Sequence, residues 1–285
     1  MEYRKLSDFL KEKFGERTLK VCVNGYFTCP NRDGTCGLGG CIFCSENGSG
    51  DDLSKNDSIR KQVLDTIEKK KNKANKFIVY FQNFTNTYDT VENLKKKYDE
   101  ALCSDKIVAL AIATRPDCIN EDVVNLLKTY NEKLYVWVEL GLQTINDDTA
   151  KLINRGYKTK VFDDAVKLLN DAGIDVVVHI MCGLPGEAHE DIKNTVEYLN
   201  KLNIQGIKIH SCYVVKNTYL AKLYEAGKYK PLTQEEYVKE VKWILENIRE
   251  DIVIHRFSGD PPKDLLIAPE WATHKTRLVN IINNM

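Results

Sequence analysis

Ile107-Val108-Ala109-Leu110-Ala111-Ile112-Ala113-Thr114 is apolar at every position but the last, and Arg115-Pro116-Asp117 follows at once. A strand with one wet face alternates apolar and polar residues, so this one is predicted to be covered on both faces. Asp175-Val176-Val177-Val178-His179-Ile180-Met181 reads the same way. Working outward, short β-branched runs recur at Leu19–Val23, Phe77–Phe81, Leu134–Leu140 and Gly206–His210, making six predicted strands. Helix-like stretches stand at about 58–74, 89–103, 120–130, 146–154, 159–172, 187–203 and 233–249. Asn120 and Asn146, each followed by acidic residues, read as N-caps, and Gly173 reads as a helix stop. Strands alternating with helices imply βαβ units and a parallel sheet. With helices outside and a barrel interior inside, the prediction is an α/β fold, a partial (β/α)6 TIM-like barrel open on one side. One domain is expected over 1–285, its core at about 18–250. A short C-terminal extension at 251–285 adds a strand at Ile252–Phe257, a Pro-containing loop and a final helix.

The start, MEYRKLSDFLKEKFGER, is charged and helix-like and lacks the apolar core of a signal peptide. No run approaches the roughly 20 apolar residues of a membrane span. A cytoplasmic protein with no membrane partner is therefore expected. The 41 basic and 41 acidic residues cancel, so any polyanion must be met by a local patch. The candidate is Arg60 to Lys76, with Lys95–Lys97 beside it; its plain alternative is a solvated helix face.

The polar and Gly-rich motifs each follow a predicted strand. In parallel β/α folds ligands sit at the carboxyl ends of the strands, so these motifs converge on one mouth. After the first strand comes Cys29-Pro30-Asn31-Arg32-Asp33-Gly34-Thr35-Cys36-Gly37-Leu38-Gly39-Gly40-Cys41-Ile42-Phe43-Cys44. Four of the nine cysteines fall within these sixteen residues. Disulfides are not expected in a reducing compartment, and thiolates suit either zinc or an iron–sulfur cluster. A four-cysteine zinc site would serve folding alone. Only Cys41 and Cys44 form a close pair, where zinc ribbons use two, and a chain this long can bury its own core.

A single early cluster ending C-x-φ-C, at the first strand of a six-unit β/α chain, resembles the radical S-adenosylmethionine (SAM) proteins. The long first spacer is similar to a subgroup related to the radical-SAM domain of the elongator catalytic subunit. That resemblance implies a [4Fe–4S] cluster on Cys29, Cys41 and Cys44, with SAM on the open iron. Cys36 departs from the pattern, and either a bystander or a thiol that mis-coordinates iron in vitro is expected there. After the second strand, Tyr80-Phe81-Gln82-Asn83-Phe84-Thr85-Asn86-Thr87 stands where the family receives the SAM amino group. Gln82 takes that role by resemblance; on its own the run also reads as a turn and helix cap. Thr114-Arg115-Pro116-Asp117 is similar to an elongator-type motif, with Arg115 placed to meet phosphate or carboxylate. By the same resemblance Glu139 and Gln143 hold the SAM ribose, Arg155 its carboxylate, and Phe43 packs near adenine. The glycines of Gly183-Leu184-Pro185-Gly186 would admit adenine to the backbone. A charged Glu139 ending an apolar strand independently favours a site, because burial without a partner is costly. His179 reads as a hydrogen-bonded core histidine, and Trp271 as a buried plug.

The family's chemistry is reductive cleavage of SAM and abstraction of hydrogen from an unactivated carbon, fed by a one-electron donor such as flavodoxin or ferredoxin. Over nearly its full length the chain resembles small proteins of the MnmL type. That implies a tRNA partner and conversion of a carboxymethylaminomethyl group on the wobble uridine to aminomethyl. A radical SAM enzyme acting on a small molecule, and a zinc-stabilised binding protein without catalysis, are the alternatives.

Overall fold

The computed structural model describes residues 2–48, 53–54 and 57–284. Among these, seven parallel strands form one sheet in chain order. They are β1 (Thr18–Val23), β2 (Lys76–Phe81), β3 (Ile107–Thr114), β4 (Tyr135–Gln143), β5 (Asp175–Cys182), β6 (Gly206–Ser211) and, after a short strand β7 (Val214–Val215), β8 (Val253–Arg256). The sheet curls into a half-barrel. Helices α2 (Ile59–Lys70), α3 (Val91–Ala101), α4 (Glu121–Asn131), α6 (Thr159–Asp171), α7 (His189–Leu199) and α9 (Gln234–Asn247) make the crossovers. The seventh is the extra strand expected at 252–257, found at Val253–Arg256. The run at 252–257 does not stand apart as an appendage but extends the same sheet beside β6.

Alternation along the strands sorts the two faces. Val21, Val79, Leu110, Ile112, Val138, Val178 and Ile207 point outward and meet Val63, Leu94, Leu127, Phe162, Val196 and Ile244 of the helices. The helix α10 (Lys275–Asn283) joins this layer through Leu278 and Ile282, so the extension shares the main core. Inward-facing residues are Ile78, Tyr80, Ala109, Ala111, Ala113, Trp137 and Val177. The amino-terminal helix α1 (Leu6–Phe14) packs Leu6, Leu10 and Phe14 beneath them and closes that end. β3 contributes only alanines to the interior, which leaves space for Trp137 and for a cleft above it. Arg4 accepts from the Ile254 amide at 2.8 Å, so the exposed edge of β8 is covered by the chain's own start.

The cap signals hold: Asn120 accepts from the Val123 amide, and Asn146 from those of Asp148 and Thr149. Gly173 takes φ 69° two residues past the end of α6, just after the C-cap Ala172. Trp271 does not plug the barrel. It stacks on Tyr237 of α9, with centroids 5.1 Å apart, and donates its indole N–H to the Leu232 carbonyl, on the outer layer. The segment before it, β9 (Leu266–Ala268), pairs with β7 in a two-stranded antiparallel sheet, and a short helix α8 (Tyr219–Glu225) follows β7. These small pieces carry too few residues for a periodic signal. Among the described residues no helix is long and apolar enough to cross a membrane.

Candidate active site

One cleft opens at the carboxyl ends of the strands, where ligands sit in parallel β/α folds. Cys29, Cys41 and Cys44 line it together with Phe43, Gln82, Glu139 and Gln143. Seven of the eight expected site residues therefore share one cavity. Cys36 is exposed and does not line it. A closed four-thiolate zinc site would need Cys36 beside the others. Among the described residues no three His, Cys, Asp or Glu side chains gather around a single ion position. A cubane takes one thiolate per iron, and three thiols of one loop line this cavity.

The loop that carries the cysteines is built around two polar side chains. Asn31, wholly buried, donates to the Asn154 carbonyl at 2.6 Å and approaches Cys41 Sγ at 3.8 Å. Arg32 gives its guanidinium to the carbonyls of Cys44, Ser45 and Glu46, closing the loop on itself. The glycines make room for them: a Cβ at Gly37 would meet Asn31 Oδ1 at 2.3 Å, and one at Gly40 would meet Arg32 Nε at 2.9 Å. Ile42 ties the loop down, donating to the Ile153 carbonyl and accepting from Leu220. Cys44 is pulled down to about 7 by the hydrogen bond from Cys41, with Arg32 and Arg115 adding against burial. A thiol tuned this way is readily the thiolate a metal needs.

The strand ends supply the rest. β4 is bulged between Gly141 and Gln143, and Gln143 adopts φ 62°, which turns its side chain into the cleft. A Cβ at Gly141 would strike the Gln143 amide at 2.6 Å, so that glycine permits the fold-back. The Asn86-Thr87 pair is structural. Asn86 bonds the Phe81 and Ala113 carbonyls, and Thr87 bonds Thr114, stapling the ends of β2 and β3 so that Gln82 faces the cavity.

Arg155 is the exception. It is wholly buried, and its guanidinium donates to the carbonyls of Leu142, Thr144 and Tyr157, to Asp147 and to Thr159. It does not line the cleft, and the structure does not bring it to a ligand's carboxylate. Its work is to hold the loop after β4 against the helix α5 (Asp147–Leu152). Arg115 lines the cleft but spends Nε and Nη2 on Asp117, at 2.9 and 2.6 Å, and Nη1 on the Arg155 carbonyl. Gly183 and Gly186 lie outside the cleft lining, and Gly183 instead packs against Leu232.

Inside the barrel below the cysteine loop lies a polar floor. Glu139, with no exposure at all, accepts from Trp137 Nε1 at 3.0 Å and Lys20 Nζ at 3.3 Å and pairs with Lys208. His179 Nε2 stands 2.9 Å from its other oxygen, and Lys208 also donates to the Tyr80 hydroxyl at 2.9 Å. Burial pushes the Glu139 carboxyl up, but Lys208, Lys20 and His179 overcome it and hold the group well below the usual range. His179 is thus both a hydrogen-bonded core histidine and part of the cleft wall. Lys20, Lys208, His210 and Arg256 were not legible as site residues, because they stand inside strands with no motif around them, Lys208 and His210 alternating with Ile207 and Ile209 and Arg256 following His255.

An open parallel half-barrel with three thiols of one loop in its mouth defines the class of a cluster-binding barrel enzyme. The family model for the radical SAM superfamily matches residues 29–199, and that for the radical SAM C-terminal domain matches 204–285. The chain belongs to the radical SAM superfamily and is an enzyme of it, with a [4Fe–4S] cluster and SAM as its cofactors. It is 43% identical to the Bacillus subtilis protein YtqA over 99% of this chain and 88% of that one. Escherichia coli YhcC is 34% identical over 93% of this chain and 86% of its own length. The tRNA uridine(34) acetyltransferase of Methanocaldococcus infernus is 30% identical over 57% of this chain, which spans 30% of that protein. The solved Methanocaldococcus infernus Elp3 superposes with a TM-score of 0.71 at 21% identity, over 94% of this chain and 63% of that one, and shares the fold.

Proposed function

We propose that this enzyme remodels the side chain of a tRNA wobble uridine in the cytosol, converting carboxymethylaminomethyl to aminomethyl. Two observations support the substrate class. One is the 30% identity to a tRNA uridine(34) enzyme across 57% of this chain. The other is a cleft whose thiols stand above a fixed polar floor, so that a reacting carbon would lie between them. Cys29, Cys41 and Cys44 hold the cluster, and Phe43, Gln82 and Gln143 are the cleft residues placed to meet SAM. Bound there, cluster and SAM supply removal of a hydrogen atom from an unactivated carbon. The net change takes two electrons and two hydrogens from the carbon–nitrogen bond of the side chain. Hydrolysis then releases a two-carbon aldehyde acid and leaves the amine. SAM accepts both electrons and one hydrogen, departing as methionine and deoxyadenosine, and the second hydrogen leaves as a proton. A one-electron carrier of the flavodoxin or ferredoxin kind starts the cycle.

The basic segment at 60–76 does not suit the RNA. α2 runs away from the mouth, and its lysine-rich end lies at the amino ends of the strands, where Lys70 bonds the Lys20 carbonyl and Lys76 that of Phe14. Lys95 and Lys97 are paired with Asp99 and Asp89. Lys151, Lys158 and Lys222 are better placed. They are exposed, none is in an ion pair among the described residues, and Lys151 and Lys222 sit on α5 and α8, beside the Ile153 and Leu220 that hold the cysteine loop. Tyr219, 58% exposed beside them, offers a face for a base.

The test is anaerobic reconstitution with iron and sulfide, then SAM and a strong reductant, with deoxyadenosine quantified with and without tRNA from cells lacking this gene. Formation that rises with that tRNA and vanishes in Cys41→Ala is the expected result. Deoxyadenosine that forms at the same rate without tRNA would move the substrate to a small molecule.

A further inference from the structure

The floor of the cleft carries more positive charge than the fold neutralises. Lys208 of β6 and Arg256 of β8 are register partners on neighbouring strands, and both line the cavity. Like charges facing across a sheet destabilise it, and burial raises the cost. Lys208 is only 3% exposed. The balancing groups are few. Glu139 divides one negative charge between Lys208 and Lys20. Asp260 takes Arg256 Nη2 at 2.6 Å, but also takes Lys275 at 2.9 Å, and is itself 54% exposed.

His210 stands two residues beyond Lys208, hence on the same face of β6. Its ring lines the cleft, and its Nε2 is sealed from solvent with no hydrogen-bond partner. Of the other interior imidazoles, His179 is engaged by Glu139, and His255, outside the cleft lining, gives Nε2 to Gln205 while its Nδ1 has no partner. Burial, then His179, Arg256 and Lys208, keep His210 well below its ordinary value, so it is a neutral imidazole. Burial also drives Lys208 down to about 7 against the pull of Glu139, with Lys20 and Arg256 adding. A guanidinium beside a lysine that burial discourages from keeping its proton, and an imidazole whose Nε2 lacks a partner, leave a place at this cavity for one more anion, which would also hold the Lys208 proton.

We propose that Lys208, His210 and Arg256 form a subsite for a carboxylate of the substrate on the inner face of β6 and β8. The inference deepens the wobble-uridine reading and rests on it, since the carboxymethylaminomethyl group ends in such a carboxylate. The same chemistry is carried by SAM, so the experiment has an arm for each source. The probes are the nucleoside 5-carboxymethylaminomethyluridine and its carboxamide, titrated by NMR into cluster-loaded protein with SAM present. Wild-type protein is expected to bind the carboxylate about tenfold more tightly than the amide. Arg256→Gln and His210→Leu are each expected to reduce that preference to roughly threefold or less. His210→Leu guards against misfolding, because Nε2 has no partner to lose and the melting temperature should be unchanged. Equal binding of the two nucleosides to wild type overturns the subsite, as does a preference that survives both substitutions. So does weakened SAM affinity in the variants with the preference intact, which would give the anion to SAM. A wild-type enzyme that keeps the preference but converts no tRNA would sink the tRNA reading and leave the subsite standing.

Discussion

Replacing Glu139 by Gln removes the one buried anion on which Lys20, Lys208 and His179 converge. The amide keeps the shape and still accepts from Trp137, so lost packing contributes little. What remains is a lysine 3% exposed, beside Arg256, with its counter-charge gone. Breaking a buried pair from one side costs about 3–5 kcal/mol. At about 2 °C per kcal/mol for a chain of this length, the melting temperature should fall by roughly 6–10 °C. Lys208→Met in the same background removes the orphaned charge and should recover at least half of that loss. Melts of wild type, both single variants and the double variant, followed by circular dichroism, give the coupling directly. The pH limbs carry the same signature. The Glu139 carboxyl is held below its unfolded value, so its stabilisation is present above about pH 4.5 and lost as pH falls through the depressed value. Glu139→Gln should flatten that acid limb. Lys208 binds its proton less readily folded than unfolded, so stability should rise between about pH 7 and 10.5, and Lys208→Met should abolish the rise. A Glu139→Gln protein that melts with wild type, or a cycle with no coupling, would refute the reasoning.

Alanine at Cys29, Cys41 or Cys44 should each abolish the brown cluster absorbance and most bound iron, while Cys36→Ser retains both; iron and sulfide analysis decides. Gly37→Ala forces a Cβ to within 2.3 Å of Asn31 Oδ1 and should cost about 1–3 kcal/mol and lower iron loading, read from the same analysis plus a melt. Burial pushes Glu187 up to about 7 against the pull of Thr144 and Thr149, with Asp191 adding to the rise. The folded state therefore holds this proton more tightly than the unfolded chain, so stability should fall from about pH 4.5 to 7, and Glu187→Gln should remove that fall in melts across the range. Replacing Lys151, Lys158 and Lys222 together by Gln should weaken tRNA binding and reduce the slope of log K against log salt by about 2–3, whereas replacing Lys69, Lys71 and Lys73 should leave it unchanged.

The strands were legible because burial on both faces writes itself as an unbroken apolar run, as in 107–113. The cysteine loop was legible because four thiols in sixteen residues have few other uses. What escaped has a common physical cause: it depends on what a side chain meets far away in sequence. Nothing near Arg155 foretells that Leu142, Thr144 and Tyr157 take up its guanidinium. Lys208 and Arg256 are separated by β7 and the two helices α8 and α9, and only the pairing of β6 with β8 sets them side by side. α2 was rightly read as a helix, but its polarity relative to the mouth follows from the crossover and not from its composition. Asn31 and Arg32 were quoted within the motif without a role, although the glycines around them hinted that bulky neighbours had to be accommodated.

The spending of guanidinium groups bears on where a substrate must go. Arg32, Arg115 and Arg155 all stand near the mouth, and each gives its donors to the chain's own carbonyls or carboxylates. Positive charge at the rim is therefore structural, and the cations that the fold leaves short of anions lie lower, on β6 and β8. An anionic group seeking them has to pass the cysteine loop and enter the barrel. A base stacked within a duplex has no such reach, and enzymes that act on a base take it out of the stack. A wobble uridine, in a single-stranded loop, is extruded at little cost, and its side chain would lead into the barrel with the carboxylate foremost. On the proposed reading, the carbon beside the amine would be held between the floor and the thiols by its two ends, the base at the mouth and the carboxylate on Lys208 and Arg256. Holding both ends would fix which hydrogen is taken, and a small floor subsite would then matter more to selectivity than the larger basic surface outside.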